Sequence, residues 1–165
     1  YTLNFTHKKK IDIIYIDPPY NTGNNDFKYN DKFVDREDSY RHSKWLAFMS
    51  KRLKLAKRLL KDSGVIFISI DDNELAQLKL LCDKLFGENS IIGLVSVAKG
   101  TTTGQDAKKF GSSCDYLIAY GMKNFLMGKL SVFFLPVTIC GPHVLTYLST
   151  RSKMLRERVI RYWRS

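Results

Sequence analysis

The chain has 165 residues, 44% of them hydrophobic, which is enough for the core of one domain. Its 27 basic residues against 16 acidic ones give a formal net charge of +11, which suits a polyanionic partner such as nucleic acid and equally suits a merely basic protein. No run of 18 apolar residues is present, Cys82, Cys114 and Cys140 lack CxxC spacing, and His7, His42 and His143 stand alone; no membrane helix is indicated, no metal site is proposed, and free thiols in a reducing cytoplasm are expected.

Residues 1–10, with Lys8-Lys9-Lys10, do not resemble a signal peptide, and Tyr1 in place of an initiating Met suggests that upstream sequence is missing. The apolar run Ile11–Ile16 is rich in β-branched residues and predicts a buried strand. It stops at Asp17, where Pro18 and Pro19 forbid continuation, and Asn21, Thr22, Gly23 and Asn24 supply turn chemistry. Asp17-Pro18-Pro19-Tyr20 is therefore delivered to the carboxyl end of a strand, where open α/β sheets bind their ligands. The alternative for these four residues alone is a strand-ending turn with a capping Asp.

The chemistry of the tetrapeptide is specific. Asp17 presents two acceptor oxygens, the Pro18 carbonyl presents another with no competing N–H, and Tyr20 adds an aromatic face. Together they suit an exocyclic amine on a planar ring. Two acceptors hold the amine hydrogens and draw the nitrogen toward tetrahedral geometry. Its lone pair, otherwise delocalised into the ring, then becomes nucleophilic toward an electrophilic methyl carbon. No strong base is needed, because the proton turns acidic only as the new bond forms.

Residues 24–43 are polar and read as an irregular loop. Its Phe27, Tyr29 and Phe33, interleaved with Lys28 and Lys32, fit either contact with unstacked bases or anchorage to the core. Residues 39–62 predict a helix capped by Ser39 or Ser43. Lys44, Lys51, Lys54, Arg58 and Lys61 share one stripe of it, and Trp45, Met49, Leu53, Ala56, Leu59 and Leu60 the opposite arc. Arg52 falls inside the apolar arc, so a carboxylate or carbonyl partner is expected. Gly64 breaks the helix and 65–70 is a second strand, making a βαβ unit with parallel strands. Asp71, Asp72 and Asn73 follow at its carboxyl end; Asp72 and Asn73 suit the N-cap of the next helix, and Asp71 is open to either role.

Residues 74–86 predict a second amphipathic helix with Cys82 packed on its inner face and Gly87 at its end. Residues 91–97 and 115–120 predict a third and a fourth strand. Between them, 98–113 is a polar Gly-, Thr- and Lys-rich loop, too long for a plain connector and lacking a P-loop ending. The domain boundary is placed near 125. Residues 126–165 form a tail of different character, either altered or divergent, within which 153–163 suggests a short basic helix.

The tetrapeptide resembles the catalytic motif of S-adenosylmethionine-dependent amino-group DNA methyltransferases. The longer series is similar to the adenine-specific (N6) modification subunit of type III restriction–modification systems. It comprises the run from Tyr15 to Asn24, then Trp45-Leu46-Ala47-Phe48-Met49, Arg52-Leu53 and the run from Gly64 to Asp72. The resemblance covers about residues 10–125. It implies a Rossmann-like α/β methyltransferase sheet with flanking helices, of which this chain holds four strands, with 1–125 as the catalytic part. It implies methyl transfer from S-adenosylmethionine to N6 of an adenine flipped out of double-stranded DNA. Asp17, Pro18, Pro19 and Tyr20 would be the catalytic residues. Asp17 and Pro18 would also edge the cofactor pocket, and Lys99, Lys108 and Lys109 would contact DNA phosphates. A modification-subunit dimer and a restriction subunit would be the protein partners. Asp in the first motif position leans toward adenine; cytosine N4, and a non-catalytic basic nucleic-acid-binding fragment, are the alternatives. At the fourth strand the family commonly has His-Glu-Tyr, where this chain has Cys114-Asp115-Tyr116. The family's Phe-x-Gly-x-Gly cofactor turn finds no counterpart, since the chain contains no Gly-x-Gly. Two expectations follow: the isolated chain has little or no activity, and the strand at 11–16 keeps an unpaired apolar edge.

Overall fold

The computed structural model describes residues 6–98, 114–126 and the backbone of 159–162. In chain order these form β1 (Ile11–Ile16), β2 (Lys28–Tyr29), β3 (Lys32–Phe33), α1 (Arg41–Leu59), β4 (Leu60–Ile70), α2 (Leu75–Phe86), a 3-10 turn (Glu88–Ser90), β5 (Ile91–Ala98), β6 (Cys114–Gly121) and β7 (Val159–Tyr162). The main sheet runs β5-β6-β4-β1-β7. β1 and β4 are parallel, as a strand–helix–strand crossover requires. β6 is antiparallel to both β4 and β5. The carboxyl ends of β1, β4 and β5 and the start of β6 therefore share one rim.

Burial explains the helix phases. Trp45, Met49, Leu53, Ala56 and Leu59 of α1 and Leu78 and Cys82 of α2 pack on Ile14, Ile16, Ile66, Ile68, Ile70 and Ile118 of the sheet. Lys51, Lys54 and Arg58 face solvent. Arg52 finds its carbonyl: Nη1 donates to Phe48 O at 3.0 Å, and the guanidinium lies 3.3 Å from the centre of the Phe48 ring. Burial lifts the Cys82 thiol to about 12, which keeps it protonated.

Several boundaries differ from expectation. α1 ends at Leu59 rather than 62, because Leu60 is already paired with Ile11. The register then shifts so that Ile13 meets Val65, and the intervening bulge contains Gly64. A Cβ there would sit 3.1 Å from both the Asp12 and Lys61 carbonyl oxygens, so the close backbone approach explains the glycine. Lys61 leaves the helix stripe and pairs with Asp12 at 2.7 Å. Neither Ser39 nor Ser43 caps α1. Asp38 supports its entry instead, accepting from the Tyr40 N–H at 2.8 Å and from Lys44. α2 likewise has no side-chain cap from Asp72 or Asn73. Asp71 takes the turn, holding the Asn73 N–H at 3.0 Å and its side-chain amide at 2.6 Å, while Asp72 is exposed.

The segment read as an irregular loop contains the β2–β3 hairpin. Asn30 and Asp31 form its turn with φ of 51° and 64°, the left-handed pair of a type I′ turn. Phe27 is buried edge-on against Phe48 with ring centroids 5.1 Å apart, whereas Phe33 is half exposed beneath Lys28. The free edge expected on β1 is covered: β7 pairs with it in parallel from Ile13↔Val159 to Ile16↔Tyr162. Residues 159–162 are thus a strand, not part of a helix, because an apolar strand edge offers unpaired N–H and C=O groups that extended β-branched residues satisfy. Among the described residues no helix is long and apolar enough to cross a membrane.

Candidate active site

β1 ends at Ile16, and Asp17 and Tyr20 emerge half-buried at the rim. The Tyr20 hydroxyl donates a long bond of 3.3 Å to Asp17 Oδ1, so acid and ring sit side by side. Burial above all, then the carboxylates of Asp17 and Asp115, holds the Tyr20 phenol protonated well above its ordinary value near 10. Tyr20 is therefore a neutral aromatic surface at any working pH. Beneath it, Tyr15 shares a 2.8 Å hydrogen bond with Ser69 across the β1–β4 pair.

The two prolines have different surroundings. Pro18 is buried. The Pro19 carbonyl accepts the Trp45 indole N–H at 2.7 Å, and Trp45 is wholly buried in α1. One proline carbonyl is thus committed to the scaffold, and the motif is tied to the helix that covers the sheet. The turn that follows is equally defined. The Thr22 N–H reaches Asp26 at 2.9 Å, and Gly23 at φ 84° passes so close to Arg36 that an added Cβ would lie 2.8 Å from its Cα.

A second group of polar side chains underlies the motif, and sequence reasoning missed it. Asn21, wholly buried with φ 59°, donates its side-chain amide to Glu74 Oε1 at 2.5 Å. Glu74, also wholly buried, binds His42 Nδ1 through the same oxygen at 2.7 Å. Asn21 is read from sequence as turn chemistry alone and Glu74 as a first-turn helix residue, because their partners lie 53 positions apart. The only local signal is an Asn immediately after Tyr20.

Asp115, at the start of β6, stands near enough to act on Tyr20, so the strand that departs from His-Glu-Tyr still brings a carboxylate to the rim. Lys99, Lys108 and Lys109 lie outside the described residues. Their anchors do not: Ala98 ends β5, Cys114 begins β6, and the two are paired at this rim. Among the described residues no cluster of His, Cys, Asp or Glu is arranged to hold a metal ion.

Comparison with known proteins bears on the family and the fold. A family model described as DNA methylase matches residues 11–151. The StyLTI Mod subunit, a type III restriction–modification enzyme component from Salmonella typhimurium, is 41% identical over 131 residues, covering 67% of this chain and 20% of that protein. The type II methyltransferase M.KpnI from Klebsiella pneumoniae is 42% identical over 130 residues, covering 78% of this chain and 31% of that protein. The chain spans between 14% and 31% of the length of the curated relatives it matches. Among solved structures, PvuII DNA methyltransferase (cytosine-N4-specific) shares the fold with a TM-score of 0.53 at 8% identity, over 96% of this chain and 52% of that one. The architecture is thus part of a DNA methyltransferase α/β sheet with flanking helices, as expected.

Proposed function

Because this chain belongs to the DNA methylase family, we propose that it is the catalytic part of an adenine-N6 DNA methyltransferase of the type III modification-subunit kind. The observation that supports this most is the pairing of Asp17 with Tyr20 at the carboxyl end of β1, beside a proline carbonyl fixed by Trp45. Asp17 and the Pro18 carbonyl accept the two N6 hydrogens and localise the nitrogen lone pair. Tyr20, neutral and half-buried, stacks on the extruded adenine. Extrusion costs a few kcal/mol and stacking returns about 1–3 kcal/mol, so phosphate contacts supply the remainder. Lys99, Lys108 and Lys109 are assigned to those contacts, supported by loop anchors at the same rim.

The carboxylates of Asp17, Asp71 and Asp115 make this rim acceptor-rich, which fits a cationic sulfonium. S-adenosylmethionine, when bound, supplies the electrophilic methyl group, with Asp17 and Pro18 as the edge of its pocket. We assign 1–125 to the catalytic unit and the protein to the cytoplasm, with a modification-subunit dimer and a restriction subunit as partners.

The test is a graft of the matched segment of this chain into M.KpnI in place of its counterpart. Transfer of labelled methyl to N6 of adenine in unmethylated DNA, lost on Asp17→Ala, supports the reading. A folded graft that binds DNA and S-adenosylmethionine yet transfers nothing refutes it.

A further inference from the structure

We infer that Glu74 is a positioning residue for the Asp17–Tyr20 segment, acting through the side chain of Asn21; its catalytic meaning rests on the function proposed above. Asn21 directly follows Tyr20, and its left-handed backbone sets the direction in which the chain leaves the motif. A non-glycine residue stays in that conformation only where its surroundings hold it. Here the holding group is the Glu74 carboxylate, 2.5 Å from the Asn21 amide nitrogen. The same amide lies 3.4 Å from the Arg41 carbonyl, and His42 Nδ1 lies 2.7 Å from the same Glu74 oxygen. One oxygen thus gathers the turn after β1, the start of α1 and the start of α2.

The placement of Glu74 is costly for stability alone. It occupies the N-cap position of α2, yet its side chain makes no capping bond and turns inward. Its Oε2 and Asn21 Oδ1, both buried, take no hydrogen bond among the described residues. A buried carboxylate with one oxygen unsatisfied is a poor stabiliser, and replacing such a buried polar group together with its partners by apolar ones often costs a fold little. What the carboxylate supplies, and an apolar group cannot, is a directional acceptor for Asn21. Helix α1 also pins Pro19, within the motif, through Trp45. The tetrapeptide is thus held at Pro19 by α1 and just beyond Tyr20 by Glu74.

Trp45 gives a readout that does not depend on methyl transfer, because its indole reports on the Pro19 carbonyl. The test uses the full chain with Trp163→Phe, leaving a single indole, and compares Glu74→Gln, Asn21→Asp and the double exchange. Asn21→Asp sets two buried carboxylates face to face, so Trp45 emission is expected to shift to the red and acrylamide quenching to increase. The double exchange restores a hydrogen bond with donor and acceptor reversed and should return both signals to the starting values. Glu74→Gln alone keeps an acceptor and should change them little. In the M.KpnI graft, Asn21→Asp should lower kcat by ~100-fold with KM for DNA unchanged, and the double exchange should regain at least ~10-fold. Failure of the double exchange to restore Trp45 emission overturns the inference, as does an unchanged emission in a folded Asn21→Asp variant. If a folded graft that binds DNA and S-adenosylmethionine transfers no methyl, the proposed reaction fails, while the Trp45 signals still decide the positioning role.

Discussion

Replacing Trp45 by Phe tests the tie between the catalytic turn and the helix. The substitution keeps an aromatic ring in the wholly buried site but removes the indole N–H that the Pro19 carbonyl accepts at 2.7 Å. Loss of that bond costs about 1 kcal/mol net, since half-buried Pro19 regains some hydration. Lost apolar burial of about 40 Å² contributes roughly 1 kcal/mol. The unfilled volume, about 40 Å³, adds roughly 1 kcal/mol more at most. The sum, about 2–3 kcal/mol, is a large share of the 5–15 kcal/mol that typically holds a domain together. Urea unfolding followed by circular dichroism should show it as a lower midpoint with an unchanged slope. Met49→Ala, also wholly buried in α1, provides the control: comparable destabilisation without loosening of the catalytic turn. The turn is read by amide hydrogen exchange of Tyr20 and Asn21. Should Trp45→Phe cost under about 0.5 kcal/mol and leave those amides as protected as before, the tie carries no weight.

Two further outcomes follow from the same geometry. Gly64→Ala forces a methyl group to within 3.1 Å of two carbonyl oxygens, and overpacking of about 1–3 kcal/mol should outweigh the usual entropic gain of about 0.4–1 kcal/mol; a melting temperature equal to or above the parent would contradict the bulge. Tyr20 and Tyr120 have phenols raised well above 10, chiefly by burial. Their unfolded counterparts ionise near 10, so stability is fully present below that pH and is lost as pH rises beyond it. Thermal melts from pH 8 to 11 should fall from about pH 10 onward, and a folded chain showing complete phenolate absorbance at pH 11 would refute the assignment.

What could be read in advance was local or periodic. The β-branched run at 11–16 and the two prolines after it fix β1 and its end, and the 3.6-residue period of Trp45, Met49, Leu53 and Ala56 sets the phase of α1, including the need of Arg52 for a carboxylate or carbonyl partner. The position of Asp17 and Tyr20 at the end of β1 was readable because strand, breaker and motif adjoin one another. Asn21 with Glu74 was not, since a hydrogen bond across 53 positions leaves no trace in either neighbourhood. Asp71 and Asp72 illustrate the same limit: adjacent acids look alike in sequence, and only the fold distinguishes Asp71, buried just beyond β4, from the exposed Asp72. The β2–β3 hairpin escaped notice because Asn-Asp is a weaker turn signal than Asn-Gly. The covered edge of β1 escaped because β7 is so distant from it in sequence.

That last pairing also bears on how the molecule assembles. Ile13 meets Val159 only after the long stretch of chain between them has been synthesised. Contacts so distant in sequence form slowly, because the intervening chain must first surrender its freedom. During synthesis β1 can associate early with β4, while its other flank stays open to neighbouring nascent chains. Yield on expression should therefore depend on temperature and chaperone supply more steeply than final stability would suggest, and the vulnerable interval closes when β7 docks.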